Sequence, residues 1–245
     1  MKCIECKAEI EKEFNYCPHC GAPREYYDWR NLMRVAYELE RSGDFDGAVE
    51  HYWRAAEDKP DEPEIHMRLG ELYFRRGELP EAIKSFELAL KSSEECPTCY
   101  YFIGLSYYRL VRIDDAIVSF KKALEMEPEL DLAYYWLGVA YYHKGKLAEA
   151  IEMYEKLLEK EPDYYIAYYH MGVAASRLGL HEKTIRCFEK VLEQNPTSPT
   201  ALSLLGEAYV RVGETTKGAG YLRKAVELDP DDSKSQSLLA LIYEE

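Results

Sequence analysis

The chain has 245 residues, of which 47% are hydrophobic and 31% are charged, and its formal net charge is −14. The hydrophobic fraction excludes a wholly disordered chain. The longest unbroken apolar run, residues 132–142, has 11 residues, whereas a membrane span needs ~20. The negative charge disfavours non-specific binding to DNA or anionic lipid.

The first residues interleave charges from Lys2 onward and have no apolar stretch typical of a secretory signal. We therefore expect a chain without membrane association that is located in the cytoplasm.

The cysteines of the N-terminal segment have the spacing of a metal site. Cys3 and Cys6 form one C-x2-C pair, and after ten intervening residues Cys17 and Cys20 form another. Two such turns place four thiolates at the corners of a tetrahedron, which is the cage that zinc prefers in structural sites. Because protein ligands fill all four positions, we expect one structural zinc ion and no catalytic one. So short a segment needs the metal in order to fold.

The segment CIECKAEIEKEFNYCPHCG resembles a short zinc ribbon over residues 1–22. The resemblance implies two cysteine knuckles joined by a small β-hairpin, followed by a linker at residues 23–28. The CPxCG knuckle also occurs in iron-binding rubredoxins, so the sequence leaves zinc or iron open. We expect His19, inside the second knuckle, to be exposed and not to bind the metal.

A period of 34 residues organises the rest of the chain. Within each period the apolar spacing predicts two amphipathic helices, separated by a glycine that accepts the left-handed conformation. Small residues near positions 8 and 20 of the unit let the two helices approach closely, and an aromatic residue at position 24 fills the remaining space. The glycines at position 8 are Gly70, Gly104, Gly138, Gly172 and Gly206.

These columns resemble the tetratricopeptide repeat, with a match from residue 29 to 232. The resemblance implies an all-α solenoid, a right-handed superhelix of helical hairpins whose concave groove is lined mainly by first helices. Val111 stands at the position where the pattern has the turn glycine. The six predicted repeats are 29–62, 63–96, 97–130, 131–164, 165–198 and 199–232, followed by a capping helix at 233–245.

The repeat family forms its groove mostly from positions 2, 5, 6, 9, 12 and 13. At these positions lie eight of the 14 arginines and none of the 17 lysines. Arginine is suited to bidentate carboxylate recognition and to stacking on rings. The predicted groove residues are Arg34, Arg68, Phe74, Arg75, Tyr101, Phe102, Tyr108, Arg109, Tyr135, Trp136, Tyr142, His143, Tyr169, His170, Arg177 and Arg211.

The groove composition predicts an adaptor that binds an acidic or aromatic segment of a partner protein, with the zinc ribbon as a second docking module. Single-stranded RNA binding is the alternative, because arginines and stacked rings also suit bases and phosphates. The same residues are also compatible with a purely structural role. No motif assembles a nucleophile with a base, and we do not expect an enzyme.

Two further features leave alternatives open. The motif Cys96-Pro97-Thr98-Cys99 at a repeat junction is compatible with two packed thiols, with a redox pair, or with half of a shared metal site. The predicted capping helix is apolar, which suggests homodimer formation as a hypothesis. Its apolar residues are Leu238, Leu239, Leu241 and Ile242.

Overall fold

The computed structural model describes residues 6, 8–9, 16–23, 28–93 and 95–244. Of residue 244 it describes the backbone only. Cys3, most of the predicted ribbon hairpin and residues 24–27 of the predicted linker lie outside this part of the chain. Among the described residues near the N-terminus, Tyr16 and Pro23 form one isolated antiparallel bridge.

In the described part of the chain, thirteen helices follow one another and no strand forms, which confirms the predicted helical-repeat class. None of these helices is long and apolar enough to cross a lipid bilayer. The helices are α1 (Trp29–Ser42), α2 (Phe45–Asp58), α3 (Pro63–Arg76), α4 (Leu79–Ser92), α5 (Pro97–Arg109), α6 (Ile113–Met126), α7 (Asp131–His143), α8 (Leu147–Lys160), α9 (Tyr165–Arg177), α10 (His181–Gln194), α11 (Pro199–Arg211), α12 (Thr215–Leu228) and α13 (Ser233–Glu244).

The helices belong to two compact units, Met1–Glu127 and Pro128–Glu245. In each unit, successive helices pair as hairpins, and the second helix of a hairpin also packs against the first helix of the next. Helix α13 packs on α12 and α11 at the end of the second unit. Each unit is thus a short stack of hairpins in which a helix is buried by its neighbours along the chain.

The turns inside the hairpins show why each first helix ends where it does. Gly77 ends α3 with φ 81°, and its N–H donates to the carbonyl of Phe74 at 3.1 Å. The equivalent turn of the third hairpin has Val111 at φ 62°. A β-branched residue in the left-handed region is strained by roughly 1–2 kcal/mol, and Val111 remains 79% exposed because this turn faces solvent.

A close approach between glycine and an aromatic ring holds the two helices of a hairpin together. A Cβ built on Gly70 would lie 2.7 Å from the Phe86 ring, and one built on Gly138 would lie 2.7 Å from the Tyr154 ring. Phe86 is 1% exposed and Tyr154 is fully buried. The ring therefore occupies the volume that any larger residue at position 8 would need, as the sequence pattern predicts.

The first prediction concerns this packing. Gly138→Ala should lower the free energy of unfolding by about 1–2 kcal/mol, because the added methyl group must displace the Tyr154 ring. Gly220→Ala is the matched control, since Gly220 lies within α12 and a methyl group added there would meet no atom within 4 Å. There the helix propensity of alanine should raise stability by about 0.5–1 kcal/mol. Urea denaturation of both variants measures the difference, and equal effects would show that the ring contact is unimportant.

Candidate functional site

The predicted groove residues lie on the first helices of the hairpins, and we name them separately for the two units. In both sets the rings are half-buried, whereas the cations other than Arg68 and His170 are exposed. Docking surface 1, on α1, α3 and α5, comprises Arg34, Arg68, Phe74, Arg75, Tyr101, Phe102, Tyr108 and Arg109. Docking surface 2, on α7, α9 and α11, comprises Tyr135, Trp136, Tyr142, His143, Tyr169, His170, Arg177 and Arg211.

Most arginines of docking surface 1 are already paired with acids of the chain. Arg34 lies 2.6 Å from Glu38, one helical turn away. Arg68 lies 3.2 Å from Glu71. Arg75 forms an ion pair with Glu40 of the preceding repeat.

These pairs lower the positive charge that the arginine count suggests for this surface. Each pair is partly exposed to solvent, so each contributes little to stability.

Arg109 is placed differently. Its guanidinium lies over the Phe74 ring at 5.0 Å and donates to the Phe74 carbonyl oxygen at 3.1 Å. Among the described residues it has no carboxylate partner. The Phe74 ring packs edge-on against Phe102 at 5.4 Å, and Phe102 stacks on the buried Phe86 at the same distance. The core therefore holds the platform under Arg109 in one position.

Docking surface 2 repeats this arrangement. The guanidinium of Arg177 lies over the Tyr142 ring at 5.1 Å, again without a carboxylate partner among the described residues. Arg211, by contrast, lies 3.8 Å from Glu207, which also binds Lys234 at 2.6 Å.

Arg75, Arg109 and Arg177, each at position 13, thus reach back to position 12 of the preceding repeat. Whether an acid or a ring stands there decides whether the cation is neutralised or stacked.

A hydrogen-bonded ring pair forms the centre of docking surface 2. The Tyr135 hydroxyl and the His170 Nε2 atom are 3.1 Å apart. His170 also stacks on the Tyr154 ring at 6.1 Å, and Tyr164 packs edge-on against Tyr135 at 5.8 Å. Burial, and then the charge of the nearby His143, lowers the pKa of His170 below its ordinary value. The neutral imidazole is therefore the form that this site favours.

The second prediction tests that cause. In an NMR titration the His170 ring should have a pKa below 6.5. His143→Gln removes the neighbouring charge and should raise this pKa, while leaving it below 6.5 because burial is the larger cause. The folded state binds this proton less readily than the unfolded state. The free energy of unfolding should therefore fall as the pH drops from about 6.5 toward the folded-state pKa. In His170→Gln this part of the pH dependence should be absent, and a wild-type value at or above 6.5 would contradict the assignment.

Three of the four predicted metal ligands lie together. The sulfur atoms of Cys6, Cys17 and Cys20 are all within 4.8 Å of one another, and those of Cys6 and Cys17 are 3.6 Å apart. Zinc–sulfur bonds of about 2.3 Å in a tetrahedron give sulfur–sulfur separations of about 3.8 Å. The turn that carries Cys17 and Cys20 is closed by the Gly21 N–H, which donates to the Cys17 carbonyl at 2.8 Å. The described donor set fits a thiolate metal centre.

The described structure also contains features that the sequence pattern did not single out. A cleft of about 680 Å³ in the first unit and one of about 390 Å³ in the second are lined largely by second helices. None of the predicted groove residues lines either cleft. The sequence gives little indication of the two clefts, because the residues that line them have no chemical type in common.

The motif at 96–99 contains a disulfide between Cys96 and Cys99. A disulfide is the oxidised state of the redox pair, which is one of the three alternatives that the sequence leaves open.

On α13, Leu241 is 62% exposed. The other three apolar residues of the predicted capping surface, Leu238, Leu239 and Ile242, are half-buried.

Two family models, both described as tetratricopeptide repeat, match the chain. One matches residues 36–98, 103–165 and 145–183, and the other matches residues 177–242. No curated protein matches the chain at significant similarity.

Several solved structures are similar in fold to this chain. The crystal structure of MamA is 28% identical, covers 66% of this chain and 95% of its own, and has a TM-score of 0.64. YrrB, described as a TPR protein with an unusual peptide-binding site, is 22% identical over 77% of this chain and 97% of its own, with a TM-score of 0.71. A tetratricopeptide repeat protein from Parabacteroides merdae is 18% identical over 88% of this chain and 98% of its own, with a TM-score of 0.65.

Proposed function

This chain belongs to the tetratricopeptide repeat family, and we propose that it is a protein-interaction adaptor whose first helices bind an acidic or aromatic segment of a partner protein. Proteins of this family generally act as interaction scaffolds and not as enzymes. The observation that carries the proposal is the placement of Arg109 and Arg177, which lie on rings and have no carboxylate partner among the described residues.

The geometry at these two arginines favours a carboxylate or a ring on the partner. A guanidinium that lies over a ring and has no carboxylate partner keeps N–H groups available to bind a carboxylate. Because Phe74 and Tyr142 already orient the cations, less side-chain entropy is lost on binding. The adjacent half-buried rings offer the aromatic anchors that usually carry binding energy at interfaces.

The N-terminal cysteines are proposed as a structural zinc ribbon that serves as a second docking module. Zinc supplies the crosslink between two knuckles that a small apolar core cannot provide. Cys6, Cys17 and Cys20 would hold it, with Cys3 as the proposed fourth ligand. We keep the cytoplasm as the proposed compartment and association through α13 as a hypothesis.

The third prediction tests the docking surfaces. Short extended peptides selected from a random display library against the zinc-loaded chain should be enriched in Asp, Glu and aromatic residues. Arg109→Gln or Arg177→Gln should weaken their binding about tenfold, the equivalent of about 1.4 kcal/mol. Arg223→Gln is the matched control, because Arg223 also lies over a ring, that of Tyr243 at 5.4 Å, but on α12 outside docking surface 2. Fluorescence anisotropy measures all three affinities.

Equal losses in the three variants, or none in any, would place the partner elsewhere on the molecule. A salt titration with the same peptides and with poly(U) distinguishes the alternative. Binding of poly(U) that exceeds peptide binding and falls steeply with ionic strength, as expected for counterion release, would favour RNA.

The fourth prediction concerns the metal. Elemental analysis of the purified chain should give about one zinc per molecule, since four thiolates bind a single ion. Cys17→Ser should lose it, whereas Cys187→Ser should retain it, because Cys187 is buried in α10 far along the chain. The helical circular dichroism of both variants should match the wild type. Zinc retained by Cys17→Ser would refute the site, and iron in its place would assign the other metal.

A further inference from the structure

Cys96 and Cys99 occupy a position with distinctive chemistry. They are joined by a disulfide, and α5 begins between them at Pro97. Cys96 is the N-cap residue, and its sulfur accepts the N–H of Cys99 at 3.2 Å. Cys99 is fully buried, whereas Cys96 retains 8% exposure. Both residues are therefore buried in the core of the first unit, and Cys96 is the more accessible of the two.

The first turn of a helix stabilises negative charge, because its N–H groups lack partners within the helix and the helix dipole points toward it. A thiolate on Cys96 would keep the N–H of Cys99 as a donor. Cysteines in such C-x2-C motifs at helix N-termini are the ones that exchange with other thiols. A disulfide in a reducing compartment is, in general, transient and functional.

Cys187 provides the contrast within the same chain. It lies in the body of α10 with 1% exposure, and burial raises the pKa of its thiol to about 12. Its thiolate is therefore scarce at neutral pH, and the thiol is expected to be inert.

We propose that Cys96 and Cys99 form a redox-active pair that exchanges two electrons with small or protein dithiols. The thiolate of the dithiol attacks the Cys96 sulfur, a bond forms between them, and the electron pair of the Cys96–Cys99 bond leaves on Cys99, which takes a proton from solvent. The second thiol of the dithiol then displaces Cys96. The chain ends with two thiols and the dithiol ends as a disulfide, so that two electrons and two protons have been transferred.

The exchange takes place beside docking surface 1. The Cys96 sulfur is 3.9 Å from the sulfur of Met67, a half-buried residue of α3. Opening the disulfide releases the covalent link between residue 96 and the first turn of α5, the helix that carries Tyr101, Phe102 and Arg109. The redox activity itself is independent of the proposed adaptor function, and it is tested without a partner.

The experiment is a redox titration of the native, full-length chain in mixtures of reduced and oxidised dithiothreitol, followed by acid quench, alkylation and trypsin digestion. Residues 92–109 form one tryptic peptide that contains Cys96 and Cys99 and no other cysteine, while Cys187 lies in the separate peptide 187–190. The 92–109 peptide should change from unalkylated to doubly alkylated across the titration, with negligible singly alkylated species. A disulfide that survives excess reduced dithiothreitol in the native chain, or thiols that remain free in fully oxidised dithiothreitol, would overturn the proposal.

Two variants test which sulfur is attacked. With oxidised glutathione, Cys99→Ser should gain one glutathionyl group on the 92–109 peptide, through Cys96, at least about tenfold faster than Cys96→Ser gains one through the buried Cys99. Circular dichroism confirms that both variants are folded. Equal labelling of the two, or faster labelling of Cys96→Ser, would contradict the assigned order of attack.

Discussion

The close approach of a glycine to an aromatic ring is the constraint on which the rest of this structure depends. Where the Cα of Gly70 or Gly138 faces a buried ring, the first and second helices of a hairpin lie too close for any side chain at that position. This spacing fixes the rotation of each first helix about its axis, and hence which residues it turns outward. The residues of the two proposed docking surfaces face outward because the opposite face of the helix is committed to this contact.

The same rotation decides the electrostatics of the exposed face. Arg75 and Arg109 both lie at position 13 and reach position 12 of the preceding repeat, which is Glu40 for Arg75 and Phe74 for Arg109. An acid at position 12 neutralises the cation, and a ring leaves its charge available. A chain with a net charge of −14 can therefore offer cationic binding positions at a few sites without carrying a positive surface throughout. The partner chemistry that we propose follows from these few positions and not from the total arginine content.

The cysteines show how local environment favours different chemistry for the same type of side chain. Cys6, Cys17 and Cys20 converge on one point in a turn-rich segment, as thiolate metal ligands require. Cys96 and Cys99 bracket the start of a helix, where amide groups favour exchange chemistry. Cys187 is packed in a helix interior, where the low dielectric suppresses ionisation. Spacing alone indicates the first group, whereas the second and third are separated only by burial and by position on a helix.

The sequence by itself determined the helices, their hairpin pairing and the glycine contact, because each of these depends on neighbours at regular offsets within one 34-residue unit. It also predicted which residues lie on the first helices, and its cysteine spacing indicated the metal site that we propose. Only the tertiary structure decided that Arg75 is paired while Arg109 and Arg177 are stacked, that Tyr135 bonds to His170, and that Cys96 is linked to Cys99. The physical reason is that these outcomes depend on distances across a repeat junction and on depth of burial, and the repeating pattern specifies neither.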